Sequence, residues 1–590
     1  MKQKFVFSTA LFFLCFLICG ALFSQSVYAP LGGQTYHIID RFDIKYPEYN
    51  KNIHTSVKPF KRESIVSFIE ALSSDSSTCV FTDVDRFNIA FLMKDNDEWS
   101  HVPYSMSKRQ YIKPFYANQA DMYAVNTDDF VFKISPVIHF DVGREHGSAE
   151  NKYFNTRGFE ARGMINNKIG FYSFLTDNQA IMPDFINAKR DEHQGVLPGE
   201  GWYKKFKDDG IDFFTARGYI SFKATKNIDV QFGQDKNFLG NGYRSIHLSD
   251  YSNNYLFLKL NTNVWRINYQ NIYKELLDYP LQTGNTNLYK KKYATTHHLS
   301  IDINDRLNIG FFENVVFSRG ADGQSSGFDF HYLNPIIFYR AVEHHLGDND
   351  KVALGIDWKY NFLRAFSFYG QVYIDEFNLN DLKMDVDTFL VRIGLRDTRK
   401  YNKQASFRNK FGLQAGIKYI DVAGIDNLDA QFEYNVVRPY TYSHYDVSYS
   451  GKPPGQSYSH YRQPLAHPIG ANFKETVSIV RYQPMPKLFI TAKWFDITLG
   501  TDTAGLNYGG DIFKDYENRV RDYSVYLLQG VKTKIQLADL LVSYQFKHNL
   551  FVDLRYIYRF QKSEIPEPRL KTSYITAGLR LNFSGRKFDF

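Results

Sequence analysis

Between Asn549 and Gln561 the chain alternates: Val552, Leu554, Tyr556, Tyr558 and Phe560 hold one parity, while Asp553, Arg555, Arg559 and Gln561 hold the other. Ile557 alone breaks the polar row. Successive side chains of a strand point to opposite faces, so a period of two means a strand with one apolar and one polar face. An apolar face this rich in aromatic rings suits lipid or a protein core, and a single strand does not distinguish them.

Repetition narrows the choice. Leu354, Ile356, Trp358, Tyr360 and Phe362 alternate with Gly355, Asp357, Lys359 and Asn361. Ala430, Phe432, Tyr434 and Val436 alternate with Asp429, Gln431, Glu433 and Asn435. Phe366, Phe368, Val372 and Ile374 form a third apolar row, although Tyr369 and Tyr373 fall on its polar side. Segments of about ten residues with a charged face and an apolar face are what a transmembrane barrel with a wet lumen requires. A soluble sandwich would give similar strands. The pattern places eighteen strands, from 130–142 to 571–583, and their connections alternate between short and long. The short ones carry turn formers such as Asn166-Asn167, Asn304-Asp305 and His548-Asn549. Tight turns at one end and extended loops at the other are the asymmetry of bacterial outer-membrane barrels.

Composition agrees. The chain of 590 residues has 43 Tyr and 52 Phe, yet its mean hydropathy is -0.40. That is too polar for a bundle of membrane helices, and nothing after the N-terminus approaches the roughly 20 apolar residues of a spanning helix. Excess Tyr fits aromatic girdles at two membrane interfaces. Lys+Arg 71 against Asp+Glu 63 leaves a formal charge of +8, which admits an acidic partner such as an anionic polysaccharide or lipid headgroups. No basic run points to nucleic acid.

The expected organisation has three parts. Residues 1–24 read as a signal peptide, with Lys2 and Lys4 ahead of an apolar run from Phe5 to Phe23; an uncleaved anchor is the alternative. Once the signal is removed Cys79 is the one cysteine left, which excludes an intrachain disulfide. Residues 25–128 carry helical spacing at Tyr36, Ile39 and Phe42, at Ile65, Phe68, Ile69 and Leu72, and across Val84 to Met93. They form a small N-terminal helical periplasmic region, a cap or plug, with partner docking as the alternative. Residues 129–590 form the antiparallel all-β transmembrane barrel with long extracellular loops. An even strand number puts both termini on one side, and the terminal aromatic of Lys587-Phe588-Asp589-Phe590 is typical of chains handed to an outer-membrane insertion machine. Both ends are therefore expected in the periplasm and the long loops outside.

Three long connections hold the unusual residues. One packs Arg438, Tyr440, Tyr442 and His444 with Tyr461, His467 and Asn472. Aromatic faces against C–H surfaces, with amide and guanidinium donors toward hydroxyls, are what grip sugars. The same residues would let a loop plug a barrel with its hydrogen bonds satisfied. A second runs from Phe232 to Ser245, where Gly233, Gly240 and Gly242 permit positive φ or close backbone approach. Its bland reading is a tight loop folded over the lumen, and its Asn241 and Arg244 join the candidate polysaccharide contacts. The third, Phe328 to Arg340 and then Glu343-His344-His345, has an apolar centre that should be tucked inward or meet a partner. Adjacent histidines, His344-His345 and His297-His298, diverge on regular structure and make poor metal pairs. No nucleophile motif, defensible carboxylate pair or His-x-x-x-His occurs, so no catalytic residue, metal or cofactor is assigned, and the chain is read as non-enzymatic.

In these loops the chain resembles the Wzi-like capsule-assembly family, including its relatives associated with gliding motility. The likeness rests on Arg438 to His444, Leu465 to Asn472, Asn334-Pro335 and Gln234 to Gly242, with Asp40 to Ile44 and Lys58 to Arg62 near the start. It spans nearly the whole mature chain. The resemblance implies an outer-membrane barrel of eighteen strands, capped by N-terminal helices, that binds surface polysaccharide and helps to assemble or anchor a capsule or exopolysaccharide layer. The long Tyr- and Asn-rich loops depart from the enterobacterial type. Two rival expectations stand beside it. One is a gliding- or secretion-associated surface protein with a protein partner; the other is a porin whose open lumen is lined by Arg555, Arg559, Lys359 and Glu433.

Overall fold

The computed structural model describes residues 26–75, 78–100, 115–207, 209–277, 291–318, 328–335, 350–376, 380–381, 383, 405–445, 455–503, 505–565 and 569–590. The expected signal peptide, apart from these, and the stretch from Ile336 through His345 of the third loop lie outside the described residues.

Eighteen long strands close into one antiparallel barrel, as the alternation predicts. They are β1 Phe130–Glu145, β2 Asn151–Ile165, β3 Ile169–Ile181, β4 Gly210–Thr225, β5 Ile228–Asp235 and β6 Tyr255–Val264. Next come β7 Ile267–Leu277, β8 Lys291–Asp302, β9 Leu307–Phe317, β10 Lys351–Phe362, β11 Phe366–Glu376 and β12 Lys410–Tyr419. The wall is completed by β13 Leu428–Val437, β14 Phe473–Met485, β15 Leu488–Thr501, β16 Val531–Lys547, β17 Leu550–Ser563 and β18 Leu570–Leu581. The seam is β18 on β1, in register from Tyr574↔Glu145 to Leu581↔Ile138. Beyond that point the short strand Tyr123–Asn126 takes over the same edge of β1, from Tyr123↔Ile134 onward. No edge of the wall is left open to lipid, where an unpaired N–H or C=O would find no water.

The two parities sort as lipid demands. On β17, Leu554 is 52% exposed, whereas Asp553 and Arg559 are buried inside. Ile557, which breaks the polar row, is 3% exposed and lines the interior. Tyr369 and Tyr373 of β11 also belong to the interior: the Tyr369 hydroxyl donates to Glu433 at 2.9 Å, and Tyr373 packs 4.8 Å from Tyr442.

One part of the outer wall is covered by protein. Asn271, His297 and Glu313 lie in register on the outward parity of β7, β8 and β9, yet all three are buried. Residues 328–335 lie against this face: Tyr273 donates to the Leu333 carbonyl at 2.9 Å and Tyr269 to that of Pro335 at 2.6 Å. Tyr332 stacks on Phe317 at 4.5 Å. The third loop was expected to tuck inward or meet a partner; its described part instead folds back on the outside, where it shields polar groups that lipid would leave unsatisfied.

Three helices, α1 Gln34–Lys45, α2 Arg62–Ser74 and α3 Asp83–Asp95, fill the short-turn end of the lumen. Thr82 and Asp85 cap α3 reciprocally, each side chain accepting the other's backbone N–H, at 3.0 and 3.1 Å. Apolar faces pack the helices on one another through Ile39, Phe42, Ile65, Phe68, Ile69 and Leu72. Charged side chains then key them to the wall. Arg41 of α1 donates to Asp429 and Asp421, both at 2.5 Å, and also meets Asp85. Lys418 binds Asp40 and Lys359 binds Asp43, each at 2.6 Å. His548, in a short turn, meets Asp95 at 2.6 Å. Buried pairs of this kind contribute little net stability but make any other seating costly, since a shifted helix would strand several charges at once.

Two further segments enter from elsewhere. The connection after β5 descends into the lumen, where Phe238–Leu239 pairs with Val57–Lys58 of the N-terminal region. Residues 582–590 turn back from β18 and run inside the wall. Phe588 packs 5.7 Å from Phe154, Lys587 binds Asp250 at 2.7 Å, and Arg559 donates to the Phe590 oxygen at 3.1 Å. Phe588 and Phe590 of the tail expected after the last strand are buried inside the wall as filling. Three residues expected to line the porin rival's lumen have protein partners: Lys359 binds Asp43, Arg555 binds Asp539, and Glu433 accepts the Tyr243 N–H.

Candidate functional site

The long-connection end is built from residues 405–410, 438–445 and 502–530, which are tied to one another before anything is presented to solvent. Asn472 sits at φ +57 and gives its amide to the carbonyls of Gly500 and Gln529 at 2.9 and 2.8 Å. It accepts the Leu528 N–H at 2.7 Å, so one buried side chain joins three segments. Arg438 donates to the carbonyls of Ser406 and Val525 at 3.3 and 3.2 Å. Tyr440, at φ +64, donates to the Asn507 carbonyl at 2.8 Å, and burial pushes its hydroxyl up to about 12, so it stays a donor. A tyrosine in the left-handed region costs about 1 kcal/mol or more and persists where the surroundings fix it.

Above these ties lies a cluster of rings and cations. Phe407, Tyr440, Tyr516 and Val525 pack together with Tyr445 at their edge. His444 lies 4.8 Å from Tyr445 and 6.1 Å from Tyr516. The Lys410 ammonium stands 3.4 Å over Tyr516, and the Arg519 guanidinium 3.7 Å over Phe407. Cations over aromatic faces gain about 0.5–2 kcal/mol. Burial works against the charge on Arg519, but Asp522 at 2.6 Å and Glu517 at 3.1 Å outweigh it and raise its pKa. Burial, then Glu376 and Asp375, hold the Tyr516 hydroxyl far above its ordinary value. Arg408 and Arg521 are exposed beside this cluster, and neither has a carboxylate partner among the described residues. The arrangement offers ring edges and two guanidinium groups without a carboxylate partner, which is chemistry for a hydroxyl-rich ligand that carries acidic groups.

The nine residues expected from sequence to touch polysaccharide fall into separate groups. Asn241, Arg244, Tyr442 and His467 are buried in the filling of the lumen. Asn241 accepts from Thr55 at 2.8 Å, and Tyr442 donates to the Ile246 carbonyl at 2.8 Å. Arg244 and His467 share Glu475, at 3.0 and 2.7 Å, and Arg244 also holds Asp589 at 3.0 Å. Arg438, Tyr440, His444 and Asn472 gather beneath the ring cluster as described. Tyr461 stands apart, half-buried against His460 at 4.7 Å. Asn241, Arg244, Tyr440, Tyr442, His467 and Asn472 are buried and engaged in internal hydrogen bonds or ion pairs, so in this structure they support the loops rather than form their outer surface. The tight-loop alternative describes the second connection better, since it folds into the lumen. Gly242 brings its backbone so close that a Cβ would stand 2.5 Å from the Glu433 carboxylate, which accepts the Tyr243 and Arg244 N–H groups. Arg408, Tyr445, Tyr516, Arg519 and Arg521 were missed. The run Tyr516 to Tyr526, where Tyr and Arg interleave in a long connection, carried the signal. Among the described residues no group of three or more His, Cys, Asp or Glu side chains is placed to hold a metal ion.

A closed wall of eighteen strands, filled by its own chain and crowned by tied loops, is the fold of an outer-membrane β-barrel. Wzi of Escherichia coli, an outer membrane protein involved in group 1 capsule assembly and described as a carbohydrate-binding β-barrel, shares it. The match has a TM-score of 0.54 at 11% identity and covers 95% of this chain and 100% of that one. OprD of Pseudomonas aeruginosa matches at TM-score 0.40 and 8% identity, over 76% of this chain and 94% of that one. OccAB2 of Acinetobacter baumannii matches at 0.40 and 10%, over 77% and 98%. No protein-family profile and no curated protein sequence matches the chain.

Proposed function

We propose that this protein is a non-enzymatic outer-membrane barrel that binds surface polysaccharide at its long-loop rim and helps to assemble or anchor a capsule or exopolysaccharide layer. In this reading the short turns, both chain ends and α1–α3 face the periplasm. The observation that carries it is the exposed Arg408 and Arg521 beside a fixed ring cluster, on a molecule whose lumen is filled from both ends of the chain. A filled lumen has no use as a conduit, whereas rigid loops reduce the ordering cost of binding a flexible polymer. What Wzi of Escherichia coli is described as binding supports the same class of ligand.

The test is binding of the detergent-folded protein to polysaccharide extracted from its own cell surface. Saturable binding is expected, weakening as salt rises and falling at least about tenfold, or about 1.4 kcal/mol, in the Arg408→Gln/Arg521→Gln/Tyr445→Ala variant. Absence of binding by folded wild type, or equal binding by the variant, would remove this reading. The protein-partner alternative would then lead, because Leu506, Val520 and Tyr526 are exposed apolar groups on the same rim.

A further inference from the structure

Inside the wall, between α1, the tail after β18 and the strands β13–β18, lies a cavity of about 290 Å³. Nine Lys and Arg side chains line it against six Asp. Seven of the nine have a carboxylate within 4 Å. Arg41 has Asp429, Lys418 has Asp40, and Lys493 and Arg555 share Asp539. Arg580 has Asp553, Arg586 has Glu200, and Lys587 has Asp250. Lys58 and Arg481 are the remainder.

Lys58 projects from the short strand that pairs with Phe238–Leu239. It is 8% exposed, its ammonium lies 4.9 Å from the Phe238 ring centre, and no hydrogen bond to it exists among the described residues. Burial draws its pKa down to about 8 despite the field of Asp40. Arg481 comes from the opposite side, on β14, and spends one N–H on Gln431 at 3.2 Å. Their common carboxylate, Asp40, is already held by Lys418 at 2.6 Å. An ammonium taken from water without a partner is costly, and an anion beside it offsets that cost. A guanidinium with free N–H groups supplies directional donors to a phosphate or carboxylate.

We propose that this lumenal cavity is a binding site for a small oxyanion, a phosphate or carboxylate group, held between the Lys58 ammonium and the Arg481 guanidinium. The space suffices: water occupies about 30 Å³ per molecule in the liquid. Entry is from the short-turn end. An adjoining cavity of about 230 Å³ shares Leu31 to Gln34 and Ser584 to Phe588 with the first and extends to Asn549 and Asn582, both of which are partly exposed. None of the four rings and side chains that pack at the rim, Phe407, Tyr440, Tyr516 and Val525, lines this cavity.

Calorimetric titration of the full-length, detergent-folded protein tests it, with inorganic phosphate, with glucuronate and with uncharged glucose. At least one of the two anions is expected to bind saturably and glucose not at all. Lys58→Gln and Arg481→Gln are each expected to weaken that binding at least about tenfold. Lys58→Arg keeps the charge and is expected to bind, and Lys534→Gln, at an exposed position, is expected to match wild type. Heat-modifiable migration in electrophoresis verifies that each variant is folded. Absence of anion binding up to about 10 mM, beyond a Kd that two charge-assisted contacts should reach, would overturn the proposal. So would affinity unchanged in both Gln variants, or equal loss in Lys58→Arg and Lys58→Gln.

Discussion

Asn472 shows how much one side chain can decide at the rim. Replacing it with Ala removes two donated bonds and one accepted bond and leaves buried backbone groups unmatched, at about 1–3 kcal/mol for each group stranded. Faster proteolysis of residues 502–530 in Asn472→Ala is expected, with the wall's heat-modifiable migration unchanged; equal protease resistance would contradict its role. Buried histidines set a second, pH-dependent response. Burial holds His460 near 3, with a lesser part from Lys292; burial, then Lys189, holds His193 near 3; burial holds His247 near 4 against Asp357. Their folded values lie below the unfolded value of about 6.5, so their neutral forms support the filling fully above that pH. Support is lost as pH falls from about 6.5 toward 4, by about 1.4 kcal/mol per unit for each. Amide exchange in residues 240–250 and 455–470 should accelerate between pH 7 and 4.5 more than in β15–β17, and unchanged protection would show that the pKa values of these histidines are not depressed by folding. Residue identity alone did not foretell any of this. Tyr, Asn, His and Arg are the groups that hold a sugar and equally those that satisfy a packed loop, and choosing between them needs the backbone path that put Tyr440, Tyr442 and Asn472 at positive φ.

Among elements, the strands were the most legible, because a two-residue period in a chain bounded by turn formers admits one local structure. All eighteen emerged from alternation and connection length. Exceptions to the alternation carried information as well: Ile557, Tyr369 and Tyr373 sit on the polar parity because the interior there is packed with protein. The tail after β18 was less legible. Phe588, Asp589 and Phe590 alternate like a strand end, and only the positions of Arg244, Phe154 and Arg559 show that they are filling. Arg244 is the keystone of that segment, with Glu475 and Asp589 on its guanidinium. Arg244→Met leaves two buried carboxylates without their cation, a loss of about 3–5 kcal/mol. Release of residues 584–590 in that variant, read as lost amide protection, is the expected result; retained protection would place the tail's anchorage elsewhere.

At the scale of the molecule, wall and filling act together. α1–α3 hold the short-turn end, the connection after β5 and residues 455–470 hold the other, and the tail runs between them. Purified wild type in a planar bilayer is therefore expected to show no ion-conducting steps at moderate voltage, and porin-like steps would disprove the closed lumen. Sequence could not reach this point, since lumen-facing polar residues read the same whether water or protein stands opposite them.

The seam between β18 and β1 has a consequence for how the molecule is made. Segments on both sides of this seam, α1–α3 before it and residues 582–590 after it, lie within the circle that it completes. The filling is thus a mandrel on which the cylinder is rolled, and the last hairpin meets the first strand with its core already in place. Barrel closure and core packing then belong to one cooperative event, and a chain stalled before that event would be an open sheet with an exposed, unfilled trough, a ready substrate for envelope chaperones and proteases.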